Sequence, residues 1–155
     1  MTDIASSDRR ELISFRIGDQ ELCIDITSVR EIRGWAAVTP LPHAPDYVCG
    51  VINLRGAIIP VLDLKRRLGL GVTEPGLRHV IVVTQIRDST VGLLVDGVSE
   101  TFKVSEADLH APPEIGSNET NYYVQALISM GDRILTQLVV DSILPKGALD
   151  MPTAA

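Results

Sequence analysis

The side chains that could do chemistry near neutral pH are few and scattered. His43, His79 and His110 lie far apart, with no HxxxH or HxxE spacing to bring two of them to one metal. Each stands near Pro or Arg in a connecting segment, so each reads as a solvated loop residue and not as a ligand or general base. Cys23 and Cys49 form no CxxC pair, which excludes a metal knuckle and a disulfide framework. Cys49 has no nearby His to activate it, and Cys23 sits inside a strand pattern, so both read as small buried residues. No GxSxG elbow and no GxxxxGK[ST] loop occurs, and Gly69-Leu70-Gly71 lacks the third Gly of a dinucleotide fingerprint. Asn118-Glu119-Thr120 is a chance sequon without a secretory signal. No catalytic residue, metal or cofactor is expected.

The elements that carry these residues read as β-hairpins. LISFRI and QELCIDI flank Gly18-Asp19, with Ile13, Phe15, Ile17, Leu22, Ile24 and Ile26 at a period of two. HVIVVTQI and VGLLVD flank Arg87 to Thr90, and YYVQALISM and RILTQLVVD flank Gly131-Asp132. Gly at the first turn position suits a type II′ connection because it adopts φ > 0 without a Cβ clash. GVINLRGAIIPVLDL forms a further pair that reverses at Arg55-Gly56, with Pro60 confined to an edge or bulge. Helical signals are short. Ser28-Val29-Arg30-Glu31 has capping-box spacing with Gly34 as a stop, and Asp63 to Gly69 reads as one capped segment. Many short strands with Gly and Pro turns predict an all-β barrel or sandwich architecture with short helices.

The 155 residues are 45% hydrophobic and 22% charged, enough for one domain or two small lobes. The Gly- and Pro-rich segment Gly69 to Leu77 marks a junction, giving lobes of approximately 11–75 and 76–147. Cores that small are expected to share apolar surface and to leave a groove between them. Residues 1–10 and 148–155 read as flexible tails, and Ala111 to Asn121 as a long exposed loop. The net charge of −6 argues against nucleic acid. No apolar run long enough for a secretory signal or a membrane span is present, so a cytoplasmic protein without direct membrane insertion is expected. Aromatics make up only 4%, too few to favour a small-ligand barrel, and Tyr122-Tyr123 reads as a packed pair.

ELISFRIGDQELCIDITSVREIRG followed by TPLPHAPDYVCGVINLRGAIIPVLDLKRRLG resembles the CheW family of chemotaxis adaptors. The resemblance continues through VIVVTQIRDSTVGLLVDGVSE and YYVQALISMGDRILTQLVV and covers Glu11 to Ile143. Its most specific element combines Gly50, Asn53, Leu54, Arg55, Gly56, Pro60 and Asp63. It implies a CheW-like domain over 11–147, built as two SH3-like five-stranded β-barrel lobes that share an apolar interface, with possible strand exchange between them. It also implies a non-catalytic adaptor that couples the cytoplasmic tip of transmembrane chemoreceptors to the regulatory domain of the histidine kinase CheA. Such an adaptor would be monomeric in solution and join the kinase in rings beneath membrane arrays. The alternative is a CheW-like module of another chemosensory pathway with surface motility or a different output. A regulatory fragment of a kinase is disfavoured, because no phosphoacceptor His context or ATP-binding motif occurs.

The resemblance also carries residue roles. Val29, Glu31, Ile32 and Arg55 match receptor-contact positions, with Glu31 and Arg55 paired in a salt bridge that orients a groove rim. The bland readings are that Val29 and Ile32 are core residues of one helical turn and that the two charges are unrelated. Gly50 and Ile115 fall to the kinase side. Gly50 is equally explained by a local turn, and Ile115, in the loop Pro112-Pro113-Glu114-Ile115, replaces the usual Phe of a ring contact. Cys23 departs from the Gly or Ala common in the family, and Pro145-Lys146-Gly147 predicts a short or absent final helix.

Overall fold

The computed structural model describes residues 10–113 and 122–144. Among the described residues eleven strands are arranged in two sheets. One sheet has the order β8-β1-β2-β11-β10-β9, from β1 (Arg10–Ile17), β2 (Gln20–Asp25), β8 (Gly97–Val104), β9 (Leu109–His110), β10 (Val124–Met130) and β11 (Arg133–Leu138). The other has the order β3-β6-β7-β5-β4, from β3 (Val29–Gly34), β4 (Val48–Leu54), β5 (Ala57–Asp63), β6 (Val80–Ile86) and β7 (Ser89–Val95). Among the described residues the strands are joined by two four-residue helices, α1 (Leu64–Arg67) and α2 (Val140–Ile143), and by 3-10 turns at Ile26–Ser28 and Glu106–Asp108.

The strands of each sheet come from both sides of the Gly69–Leu77 segment. The N-terminal hairpin leaves β3 to β5 and joins the C-terminal strands, through the parallel pair β2–β11 and the antiparallel pair β1–β8. The second sheet joins β5 to β7 in parallel. Arg10 already belongs to β1, paired with Val104, so ordered strand begins one residue inside the expected tail.

Three apolar clusters cover both faces of the central strands, which is why β6 and β7 read as almost continuous hydrophobic runs. Between the sheets lies the largest, formed by Ile13, Phe15, Ile17, Leu22 and Ile24 against Val82, Ile86, Val91, Leu93 and Val95, with Leu138, Ile143 and Leu144 closing one side. Leu12, Cys23, Val104, Ile128 and Leu135 fill the first sheet's other face. Ile52, Leu54, Ile59, Val61, Ile81, Val83 and Leu94 fill the second's. The largest layer is thus the shared one, and each sheet adds a smaller cluster of its own.

His79 corrects the reading of the three histidines as solvated. It is buried immediately before β6. Its Nδ1 accepts the Gly76 N–H at 2.9 Å, and its Nε2 lies 3.5 Å from Asp96 Oδ1. The other Asp96 oxygen accepts the Gly18 N–H at 2.6 Å, so the imidazole helps fasten the β1–β2 turn to the second sheet. His43 and His110 are exposed.

Candidate docking site

The residues singled out for receptor contact converge on β3 and on the turn between β4 and β5. The helix expected over Ser28 to Glu31 does not form. Asp25 accepts from the Thr27 N–H at 2.9 Å and from Thr27 Oγ1 at 2.7 Å, capping a 3-10 turn of only three residues, Ile26–Ser28. From Val29 the chain is extended and pairs with β6, Glu31 opposite Val83 and Ile32 opposite Val82. β-Branched Val29 and Ile32 suit a strand, and half-buried and exposed residues alternate along it with the period of two that a helix lacks. A register shift lies between Val29 and Glu31, at Arg30.

This alternation separates Val29 from Ile32. Val29 is half-buried and packs against the shared core, whereas Ile32 stands 45% exposed. Val29 therefore anchors the strand, and Ile32 is the apolar side chain it presents.

Arg55 and Gly56 both have positive φ, 51° and 90°, which makes the β4–β5 connection a mirror-image two-residue turn of type I′. The Asn53 side chain closes it by accepting the Gly56 N–H at 2.8 Å. For Arg55 this backbone costs roughly 1 kcal/mol, because its Cβ crowds the following carbonyl. From the turn tip the Arg55 guanidinium reaches Glu31 and donates to its Oε2 through Nη2. Arg33 flanks the same carboxylate, its Nη1 3.8 Å from Oε1. The contact is single and open to solvent: Arg55 is 72% exposed and Glu31 25%. A surface pair of this kind adds at most about 1 kcal/mol to stability, so its main effect is on orientation.

Gly50 is buried, and a Cβ there would lie 2.4 Å from the Thr39 carbonyl oxygen. Its φ of +152° and this close backbone approach account for Gly locally; Thr39 and Val51 exchange backbone bonds of 2.9 and 2.8 Å across the contact. Ile115 and residues 145–147 lie outside the described residues.

A cavity of about 280 Å³ opens at the seam between the sheets, lined by Leu22, Thr136 and Leu138 on one side and Leu68 and Leu70 on the other, with Tyr123 at its wall. It lies apart from the β3 rim and includes none of the residues singled out for receptor contact. Arg67, beside it, was missed by sequence reasoning. Its guanidinium sits 5.0 Å from the ring centroids of both Tyr47 and Tyr123 and donates to the Ile143 and Ser142 carbonyls at 2.7 and 2.9 Å.

The remaining polar groups do not assemble into a reaction centre. Among the described residues no three of His, Cys, Asp and Glu cluster in a way that could hold a metal ion. Burial pushes the Cys23 thiol up to about 12, and burial together with the Asp63 carboxylate pushes Cys49 to about 11, so both stay protonated at neutral pH. The buried Asp63 itself is occupied, accepting from the Thr73 N–H at 2.8 Å and Thr73 Oγ1 at 2.6 Å. Among the described residues no helix is long and apolar enough to cross a membrane.

Comparison with known proteins gives a consistent result. Residues 11–147 match the model of the CheW-like domain. A chemotaxis protein CheW of Rhizobium meliloti (strain 1021) is 48% identical over 136 residues, covering 88% of this chain and 88% of that protein. The chemotaxis protein CheW of Bacillus subtilis (strain 168) is 32% identical over 136 residues, 88% of this chain and 87% of its own. Among solved structures, the scaffolding protein TtCheW from Thermoanaerobacter tengcongensis superposes with a TM-score of 0.80 at 27% identity, covering 90% of each chain.

Proposed function

The chain belongs to the family of CheW-like domains, and on that premise we propose how it works as a chemotaxis coupling adaptor: the β3 edge and the β4–β5 turn dock on the cytoplasmic tip of a chemoreceptor, while other surfaces engage the regulatory domain of the histidine kinase CheA. Ile32 is the exposed apolar contact of the receptor face, Val29 supports it from beneath, and Glu31 with Arg55 fixes its rim. A strand edge with one apolar side chain and oriented charges suits a protruding helical bundle, since apolar burial supplies affinity and the polar rim supplies register. On the kinase side, the Gly50 segment holds the backbone at Thr39 and Pro40, and Ile115 supplies the apolar ring contact. The protein turns over no substrate. It acts in the cytoplasm, as a monomer when free, and is drawn to membrane arrays in which weak contacts gain strength from multivalency.

The observation that carries this reading is the Arg55–Glu31 contact, which positions two charges on an exposed rim with little effect on stability. Replacing Arg55 by Ala is expected to weaken co-sedimentation with receptor-containing membranes about tenfold or more, the scale of a lost charge-assisted contact, while the melting temperature moves by only a few degrees. Unchanged co-sedimentation would remove Arg55 from the receptor face. The same surface would serve a pathway with another output; comparing binding to kinases of different chemosensory pathways separates the two.

A further inference from the structure

The docking rim is cationic on a protein that is acidic overall. The chain carries a formal charge of −6, yet β3 and the β4–β5 turn together hold three arginines, Arg30, Arg33 and Arg55, and one carboxylate, Glu31. Strand alternation places Arg30 on the face with Ile32, and Arg33 on the face with Glu31.

Glu31 hydrogen-bonds only one of the two guanidiniums that flank it. Its Oε2 is taken by Arg55, and its Oε1 lies 3.8 Å from Arg33 Nη1, beyond hydrogen-bonding distance. Arg33 Nε is buried and has no hydrogen-bond partner among the described residues. A guanidinium offers five N–H donors in a planar fork. Arg55 commits Nη2 to Glu31 and leaves most of its side chain open to solvent. Two partly exposed guanidiniums therefore flank one carboxylate, an edge of net positive charge that attracts a second carboxylate and repels a cation.

We infer that the partner docks with an acidic side chain seated against Arg33 and Arg55, so that Arg33 is a partner-binding residue and the receptor segment on this rim is acidic. The inference rests on the reading of the β3 edge as the receptor face and adds the charge of what it receives. Glu31 then serves to hold Arg55 in place, and the incoming carboxylate completes an alternating row of charges. Such a contact favours encounter and register and weakens with salt.

The test measures binding of the chain to membranes containing a chemoreceptor from the same organism, at about 50 and 300 mM NaCl, a range over which the Debye length shrinks to roughly two fifths. The wild type is expected to bind less tightly at the higher salt. Arg33→Gln is expected to lose about tenfold in affinity at the lower salt and to show a flatter salt dependence. Arg33→Lys, which keeps the charge without the fork, is expected to recover part of the loss and serves as the reporter if the Gln variant folds poorly. Arg16→Gln, at an exposed position on β1 of the other sheet, controls for a general loss of positive charge and is expected to change binding less. Substituting receptor-tip Asp and Glu by Asn and Gln is expected to find one position whose loss is not additive with Arg33→Gln. Wild-type affinity and salt dependence in both Arg33 variants, with receptor binding intact, overturns the inference and leaves the docking reading standing. If the wild type itself fails to bind receptor membranes, both fall.

Discussion

Arg55, at the tip of the β4–β5 turn, donates to Glu31 on β3, and the two residues thereby join opposite edges of the five-stranded sheet, whose order is β3-β6-β7-β5-β4. Between them the sheet must curl, with Trp35 and Val38 packed beneath against the cluster around Ile52 and Val61. The residues that set the rim's charge are therefore the ones that span its two edges.

The backbone at Arg55 separates the rim's effect on stability from its effect on binding. Arg55→Gly removes the ion pair but also relieves a left-handed backbone of φ 51°. The two effects are each about 1 kcal/mol and opposite in sign, so the melting temperature should stay near that of the wild type while receptor binding is lost. A fall of several kcal/mol in urea unfolding would mean that the pair holds the sheet edges together.

Gly50→Ala places a methyl group 2.4 Å from the Thr39 carbonyl oxygen, a backbone atom that cannot swing away. A loss of about 2 kcal/mol or more is expected in chemical denaturation, from strain at a special φ combined with the clash. Wild-type stability together with impaired kinase binding would instead make Gly50 a contact residue.

Arg67 ties α1 to the carbonyls of α2, while Arg87 donates to the Asp141 carbonyl at 2.8 Å from the β6–β7 turn. Lys cannot reproduce the fork or its placement between Tyr47 and Tyr123. Arg67→Lys is expected to destabilise by about 2 kcal/mol, read by urea unfolding, from several charge-assisted bonds lost at once. A variant as stable as the wild type would show that the Arg67 contacts add nothing to what Arg87, Ile143 and Leu144 already supply in holding that helix.

Alkaline pH tests the buried thiol. Cys23 is held up to about 12 in the folded chain by burial, whereas in the unfolded chain it titrates near its ordinary value of 9.0. Between these values the unfolded state binds fewer protons, so stability is full below about pH 9 and falls as pH rises towards 12, by about 1.4 kcal/mol per pH unit at most. Unfolding measured from pH 8 to 10.5 should show this decline, and Cys23→Ala should flatten it. Equal slopes in the two proteins would contradict the assignment.

Short-range features were legible in the residues, and long-range ones were not. The Gly18-Asp19 turn was readable because its geometry is local: Gly18 has φ +59° and Ile17 pairs with Gln20. β3 was misread because Ser28 and Glu31 have the spacing of a capping box, while Asp25, three residues earlier, captures the cap. The parallel pairs β2–β11 and β5–β7 left no mark, since periodicity records which face is buried and not which strand lies alongside. His79 does lie in the segment before β6, but its polar neighbours conceal its burial, which follows from a strand, Val80–Ile86, that is covered on both faces. At the docking rim, residue types suggested the Glu31 and Arg55 pair through a resemblance, but the exposure of Ile32 and the burial of Val29 required the strand.

The most direct test of the coupling account is a three-component sedimentation assay with receptor-containing membranes, the cognate CheA kinase and this protein. The account predicts that the kinase pellets in proportion to the wild-type protein added. With Arg55→Ala it should stay in the supernatant, even though that variant still binds the isolated kinase regulatory domain one to one by calorimetry. Kinase that pellets equally well without the protein, or a correctly folded regulatory domain that shows no binding to it, would contradict the account.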